Sequence, residues 1–201
     1  MRHATLHSIE TSRAVPPRGH WRILIGSLVA AGATLSAFPR SAAAETTLGV
    51  DLAYNDTMRE GTPETGAGID LYVGPRMDLA ILTLTTELMA GYHDFGGDFN
   101  PSVYRLLAGG RLGIGAVIRP NVFAHLGVGH LRYDDLLNLE RDGRTNLAGD
   151  IGVGLDFTLL PVVDIGIQAS YNAIAGNSTY DPFEWWQGGV HVTFILDNDR
   201  S

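Results

Sequence analysis

The sequence predicts an all-β fold: an eight-stranded antiparallel up-and-down transmembrane β-barrel, preceded by a cleavable signal peptide. Three observations predict it. From Asn146 to Ala173, large apolar residues alternate with small or polar ones at a period of two, the mark of strands with unlike faces. The polar face is mostly glycine and short side chains, with few charges in each strand. That is too sparse and too small for a solvated surface, and glycine weakens strands unless a crowded interior demands it. Finally, eight alternating stretches follow one another through connections of alternately long and short length, which is how membrane barrels are built.

The first 44 residues are of another kind. Arg13, Arg18 and Arg22 precede an apolar run from Ile23 to Phe38, and Ser41-Ala42-Ala43-Ala44 supplies small residues before Glu45. A positive region, a short apolar core and a small-residue site in that order predict a secretory signal peptide over 1–44, with cleavage after Ala44. The run is short for a membrane helix, which needs about 20 residues. The barrel domain is then 45–201.

Of 14 basic and 22 acidic residues in the chain, the first 44 hold five arginines and one acid, so the remainder carries a net charge of −12. Such a domain has no basic footprint for nucleic acid. Cysteine is absent, in keeping with an exported chain that folds without disulfides.

The strands are read in order from their parity. The first, Thr46 to Asn55, sets Leu48, Val50, Leu52 and Tyr54 against Gly49, Asp51 and Ala53. The second, Ala67 to Gly74, sets Ile69, Leu71 and Val73 against Gly68, Asp70 and Tyr72. The third, Leu79 to His93, turns Leu82, Leu84, Leu88 and Tyr92 outward and Thr83, Thr85, Glu87 and His93 inward. In the fourth, Val103 to Ile118, Tyr104, Leu106, Leu112, Ile114 and Ile118 oppose Arg105, Gly109, Arg111, Gly113 and Gly115. The fifth, Val122 to Tyr133, places Ala124, Leu126 and Val128 opposite His125, Gly127 and Gly129; after Gly129 a bulge could shift Tyr133.

The sixth and seventh strands form a hairpin through Leu160-Pro161. Ile151, Val153, Ile165 and Ile167 lie on its apolar face, and Asp150, Asp156, Asp164 and Gln168 on the other. The eighth, Trp185 to Leu196, opposes Trp186, Val190, Val192 and Phe194 to Gln187, Gly189, His191 and Thr193. Short turns are expected at Pro75-Arg76, Arg119-Pro120 and Leu160-Pro161. Long loops are expected over 56–66, 94–102, 134–144 and 176–184.

Aromatic residues fall at two heights. Tyr54, Tyr92, Tyr104, Tyr133, Tyr171, Trp185 and Trp186 lie at the long-loop ends of their strands, and Phe123, Phe157 and Phe194 near the short turns. Two such rings match the interfacial girdles of membrane barrels.

The stretches N-V-F-A-H-L-G-V-G-H at 121–130, A-G-D-I-G-V-G-L-D-F at 148–157 and W-W-Q-G-G-V-H-V-T-F at 185–194 give the chain, over nearly all of 45–201, its resemblance to a known group. It resembles the small eight-stranded outer-membrane β-barrels of the opacity-protein and OmpA/OmpX type. That resemblance implies a Gram-negative outer membrane, insertion by the barrel-assembly machinery, contact with outer-membrane lipids and a structural, surface-interaction or adhesion role. One departure stands out. Barrels of this kind usually end on an aromatic residue that the assembly machinery reads, whereas here Phe194 is followed by seven more residues.

Parity collects Asp51, Asp70, Glu87, Asp150, Asp156 and Asp164 inside, with Arg105, Arg111, His125 and His191 as partners. An eight-stranded barrel is just wide enough for side chains to fill it. The expectation is therefore an ion-paired plug rather than a pore. Arginine suits that role because its planar fork matches carboxylate geometry.

Catalysis is not expected. Ser102, Ser170 and Ser178 have no His-x-Ser or Gly-x-Ser-x-Gly setting. Asp150 and Asp156, six residues apart on one strand, lie roughly 20 Å from each other, beyond concerted acid and base work. No cofactor motif and no metal-ligand spacing occurs, although Asp94 with Asp98, or Asp134 with Asp135, offers a loop carboxylate pair. Two alternatives are kept: a soluble lipocalin-like barrel around an apolar ligand, and a lipid-modifying outer-membrane enzyme.

Overall fold

The computed structural model describes residues 45–58, 64–97, 100–133, 143–178 and 180–196. The expected signal peptide and its cleavage point after Ala44 lie outside them. Eight strands run in chain order: β1 Glu45–Thr57, β2 Thr65–Leu79, β3 Leu82–Phe95, β4 Pro101–Ile114, β5 Ile118–Tyr133, β6 Gly143–Leu160, β7 Val163–Ile174 and β8 Phe183–Leu196. Each pairs antiparallel with its sequence neighbour, and β8 closes on β1. Closure leaves no strand edge to satisfy, which a lipid-embedded sheet requires.

The stagger can be read from the register. Glu45 faces Arg76, which faces Thr85, then Arg111, Phe123, Gly152, Ser170 and Gln187, which faces Asn55. One circuit therefore climbs ten residues of β1, and such a stagger forces the strands to tilt, typically about 35–45° from the barrel axis. Even the shortest strand, β7, has 12 residues. About 9–11 are enough to cross the hydrocarbon core.

The apolar face is the outer one. Leu52, Ile151, Val153 and Val190 are 57, 62, 58 and 56% exposed. They face away from an interior lined by buried aspartates, arginines and histidines. A water-soluble ligand-binding barrel has the opposite arrangement, so the lipocalin-like alternative fails here.

Two of the expected short turns are displaced. Pro75-Arg76 and Arg119-Pro120 lie inside β2 and β5; the chain reverses at Ala80-Ile81 and at 115–117 instead. Proline fits a strand where the ladder to one neighbour is interrupted. The β2–β3 pairs skip from Val73↔Leu88 to Arg76↔Thr85, and Pro120 lies beyond the last β4–β5 pair, Gly113↔Asn121. Gly115 makes the second reversal with φ of 125°, and a Cβ there would sit 2.2 Å from the Ile118 carbonyl oxygen. The third reversal, at Pro161-Val162, lies one residue past its expected place. These turns are tied around the rim, Gly115 N–H donating to Ile81 and Ile195 N–H to Val162.

β5 carries no bulge. Its register to β4 and β6 is unbroken, so Tyr133 keeps the inward parity of Leu131 and packs against the inner apolar cluster. A register shift does occur in β6, between Thr158 and Leu160.

Candidate functional site in the barrel lumen

Because neighbouring residues of a strand point to opposite faces, Trp185 and Trp186 cannot share a ring of aromatics. Trp186 faces out beside Tyr171, with ring centroids 5.6 Å apart. Trp185 turns in and is 1% exposed, so its expected place in the outer girdle is corrected. Phe123 is corrected in the same way; it is buried and lies 4.7 Å beneath the Arg111 guanidinium. Tyr54, Tyr92, Tyr104 and Phe194 are exposed on the outer wall, Tyr92 and Tyr104 stacking at 5.0 Å. Phe157 and Tyr171 also lie on that wall, partly covered.

Trp185 belongs to an apolar layer that closes the lumen at the long-loop end, together with Phe95, Val103, Leu131, Ile174 and Phe183. Phe95 meets Phe183 edge-on at 5.4 Å and Trp185 at 5.9 Å. The expected plug was polar throughout. This layer shows that its outer end is apolar.

Below it lies the ionic part. Arg105 faces Asp70 with Nε donating to Oδ1 at 3.0 Å and Nη2 to Oδ2 at 2.7 Å. The same guanidinium donates to Asn172 and Gln187, approaches Asp150 at 3.5 Å and lies 5.8 Å from the Trp185 ring. Asn55 donates to Nδ1 of His93 at 3.2 Å, so the ring proton sits on Nε2, which donates to Asp70 at 3.1 Å.

Asp51 and Asp70 are direct cross-strand partners, a repulsive pairing for two carboxylates. Gln187 relieves it by donating to both, at 3.1 and 3.0 Å. Gln168 also donates to Asp51 and accepts from Arg111.

Deeper, Arg111 donates to Glu87 at 2.9 Å and to Asn121 at 3.2 Å. His125 spans Asp150 at 2.7 Å and Glu87 at 3.0 Å, and so joins the two levels. Asp156 accepts from Asn121 at 2.8 Å and faces His191 at 3.0 Å. At the short-turn end Arg76 and Arg119 both donate to Asp164. A cavity of about 30 Å³ remains here, bounded by Arg76, Arg111, Arg119, Thr83 and Thr193. That is about the volume of one water molecule.

All eight lumen residues singled out in the sequence (Asp51, Asp70, Glu87, Arg105, Arg111, Asp150, Asp156 and His191) lie inside this one network. Sequence reasoning missed Arg76 and Arg119 because prolines beside them suggested turns. It also left Gln168, Gln187, Asn121 and Asn172 without a role. Their inward parity was the available signal, but an amide's two-sided bonding shows only when its neighbours are known. Of the loop carboxylates, Asp94 accepts from Ser102 at 2.9 Å; Asp98, Asp134 and Asp135 lie outside the described residues.

Interior glycines allow these close approaches. A Cβ at Gly91 would lie 2.0 Å from Asp70 Oδ1 and 2.9 Å from Arg105 Nε. Gly91→Ala is therefore expected to destabilise the barrel by about 1–3 kcal/mol through overpacking. Gly188, on the outer wall with nothing within 4 Å, should accept alanine with little change. Urea unfolding of the two variants in lipid vesicles measures the contrast.

Fold and lumen together define a small eight-stranded transmembrane β-barrel with a filled interior. Among solved structures it is similar to Neisserial surface protein A, with a TM-score of 0.61 and 14% identity over 75% of this chain and 97% of that one. It is also similar to Ail, the attachment invasion locus protein of Yersinia pestis, in complex with the heparin analogue sucrose octasulfate, with a TM-score of 0.54 and 14% identity over 76% and 99%. The outer membrane enzyme PagL matches at 0.50 and 21% identity over 73% and 98%. The shared feature is the fold, that of the small outer-membrane barrels. No family model matches the chain, and no curated protein matches it in sequence.

Proposed function

We propose that the protein is an exported outer-membrane barrel of a Gram-negative bacterium with a structural, surface-interaction or adhesion role and no catalysis. On this reading residues 1–44 are removed after Ala44, the barrel-assembly machinery inserts the chain, and outer-membrane lipids surround the apolar wall. The observation that carries it is the pairing of a broad apolar exterior with an interior in which five buried carboxylates meet four buried guanidiniums and a sixth, Asp51, is held by two glutamine amides. The network fixes the wall, and the long connections are where binding on rigid scaffolds usually resides.

The absence of catalysis is supported by where the nucleophile candidates sit. Ser102 Oγ donates to Asp94 and Ser170 Oγ accepts from Asn172, and His93, His125 and His191 are buried among carboxylates and amides. Neisserial surface protein A and Ail are named for the surface and for attachment, and PagL for its enzyme activity. The long connections carry many more acids than bases, so a polysulfate such as the one on Ail would be repelled.

Fractionation of membranes with protease shaving of intact cells tests the reading, together with N-terminal sequencing, which should begin Glu45-Thr46-Thr47. Recovery in the periplasm without detergent would sink it, and altered lipid A on overexpression would sink the non-catalytic part.

A single substitution tests the wall. Ile151 lies midway along β6 on the apolar exterior. Ile151→Arg is expected to cost about 2–4 kcal/mol at the bilayer midplane, seen as loss of the heat-modifiable folded form. In a barrel surrounded by water the same change at a residue this exposed would be nearly neutral.

A further inference from the structure

We propose that the mouth of the barrel at the long-connection end is a binding site for a small amphipathic oxyanion: one carboxylate, phosphate or sulfate group carried on an apolar body. A cavity of about 340 Å³ opens there, within the range of roughly 300–1,000 Å³ usual for small-molecule sites. Its walls come from four places in the chain. Met58 follows β1, Tyr133 ends β5, Arg144 lies at the start of β6, and Tyr180, Pro182 and Phe183 lead into β8. Phe183 is also part of the apolar layer that closes the lumen. The body of a ligand would rest on that layer, apart from the ion pairs below.

Arg144 supplies the charge. Its Nη2 donates to the Asp181 carbonyl at 2.9 Å, and the guanidinium lies 5.1 Å from the Tyr180 ring centroid, two contacts that fix the plane of the fork. Nε and Nη1 are buried without a hydrogen-bond partner among the described residues. A buried donor left unmade is expensive, and more so on a charged group. The contrast with the lumen is direct. Arg76, Arg105, Arg111 and Arg119 each meet a carboxylate, whereas among the described residues Arg144 donates to a neutral carbonyl. An oxyanion seated in the cavity would complete it as carboxylates complete the others.

The surroundings limit the ligand's charge. Asp181 and Glu184 lie at the same cavity, so a polyanion is repelled while one oxyanion can pair with one fork. The aromatic and aliphatic walls ask for an apolar remainder.

The test titrates the folded full barrel in an uncharged detergent, read by calorimetry, with phenyl phosphate and separately with a short-chain phosphatidic acid. The first stands for a free solute and the second for a lipid headgroup. Saturable one-to-one binding of either, weakened about tenfold or more in Arg144→Gln, supports the site, and the arm that binds names the source. No saturable binding in either arm overturns it, as does unchanged affinity in folded Arg144→Gln. Should that variant lose the heat-modifiable folded form, Tyr180→Ala replaces it, since an exposed rim side chain is removed and the cation kept. Several-fold weaker binding of whichever probe saturates the parent barrel then supports the proposal, and unchanged affinity overturns it.

Discussion

Arg105→Ala is expected to lower unfolding stability by about 3–5 kcal/mol, the penalty for removing one partner of a buried ion pair. The guanidinium is the meeting point of Asp70, Asp150, Asn172 and Gln187, and alanine leaves those groups facing one another. The Asp70 carboxylate, already opposite Asp51 in the register, would keep only His93 and Gln187. Urea titration in lipid vesicles measures the loss. Replacing both Arg105 and Asp70 by apolar residues of similar volume should restore part of it, because an ion pair's desolvation is then no longer incurred. A double variant as unstable as the sum of the singles would mean that the two side chains do not act as a pair.

Trp185→Ala should cost a similar amount, about 3–5 kcal/mol, for a different reason. Here the loss is apolar contact plus the cavity left behind. The indole is 1% exposed, meets Phe95 and Phe183 at 5.9 and 5.6 Å, and covers Arg105. Among the described residues its Nε1 has no hydrogen-bond partner, so Trp185→Phe should retain most of the stability. Removal of the layer also exposes the ionic lumen at its outer end. Single-channel recording in planar bilayers should therefore show more frequent conductance events for Trp185→Ala than for the parent. A fully silent and fully stable Trp185→Ala barrel would show that the apolar layer neither seals nor supports the lumen.

The alternation of side chains was legible because a strand has an intrinsic period of two that needs no partner to express it. Leu48 to Tyr54 and Ile151 to Leu159 declared an apolar face, and the glycines and aspartates between them declared the other. That much fixes the number of strands, their inside and outside, and the lumen residues of the alternating stretches, though not Arg76 and Arg119, which lie beside prolines. Trp185 was misplaced by reading position along the chain before parity, although the parity was there to read.

Closure of the barrel decided the rest. The ten-residue stagger around the circuit determines which inward residues share a level. Arg105 therefore meets Asp70, 35 positions away, and Arg119 meets Asp164, 45 positions away. A period of two is blind to such offsets, since it records the face of each residue and nothing about its height. The prolines show the same division. Pro75 and Pro120 announce a missing donor, but whether that means a turn or a strand beside a broken ladder depends on where the neighbouring strands stop. The chain by itself settled which side chains of the alternating stretches would be inside, but not those beside the prolines. Only the closed sheet settled which of them would touch, because contact in a barrel is made between strands and not along them.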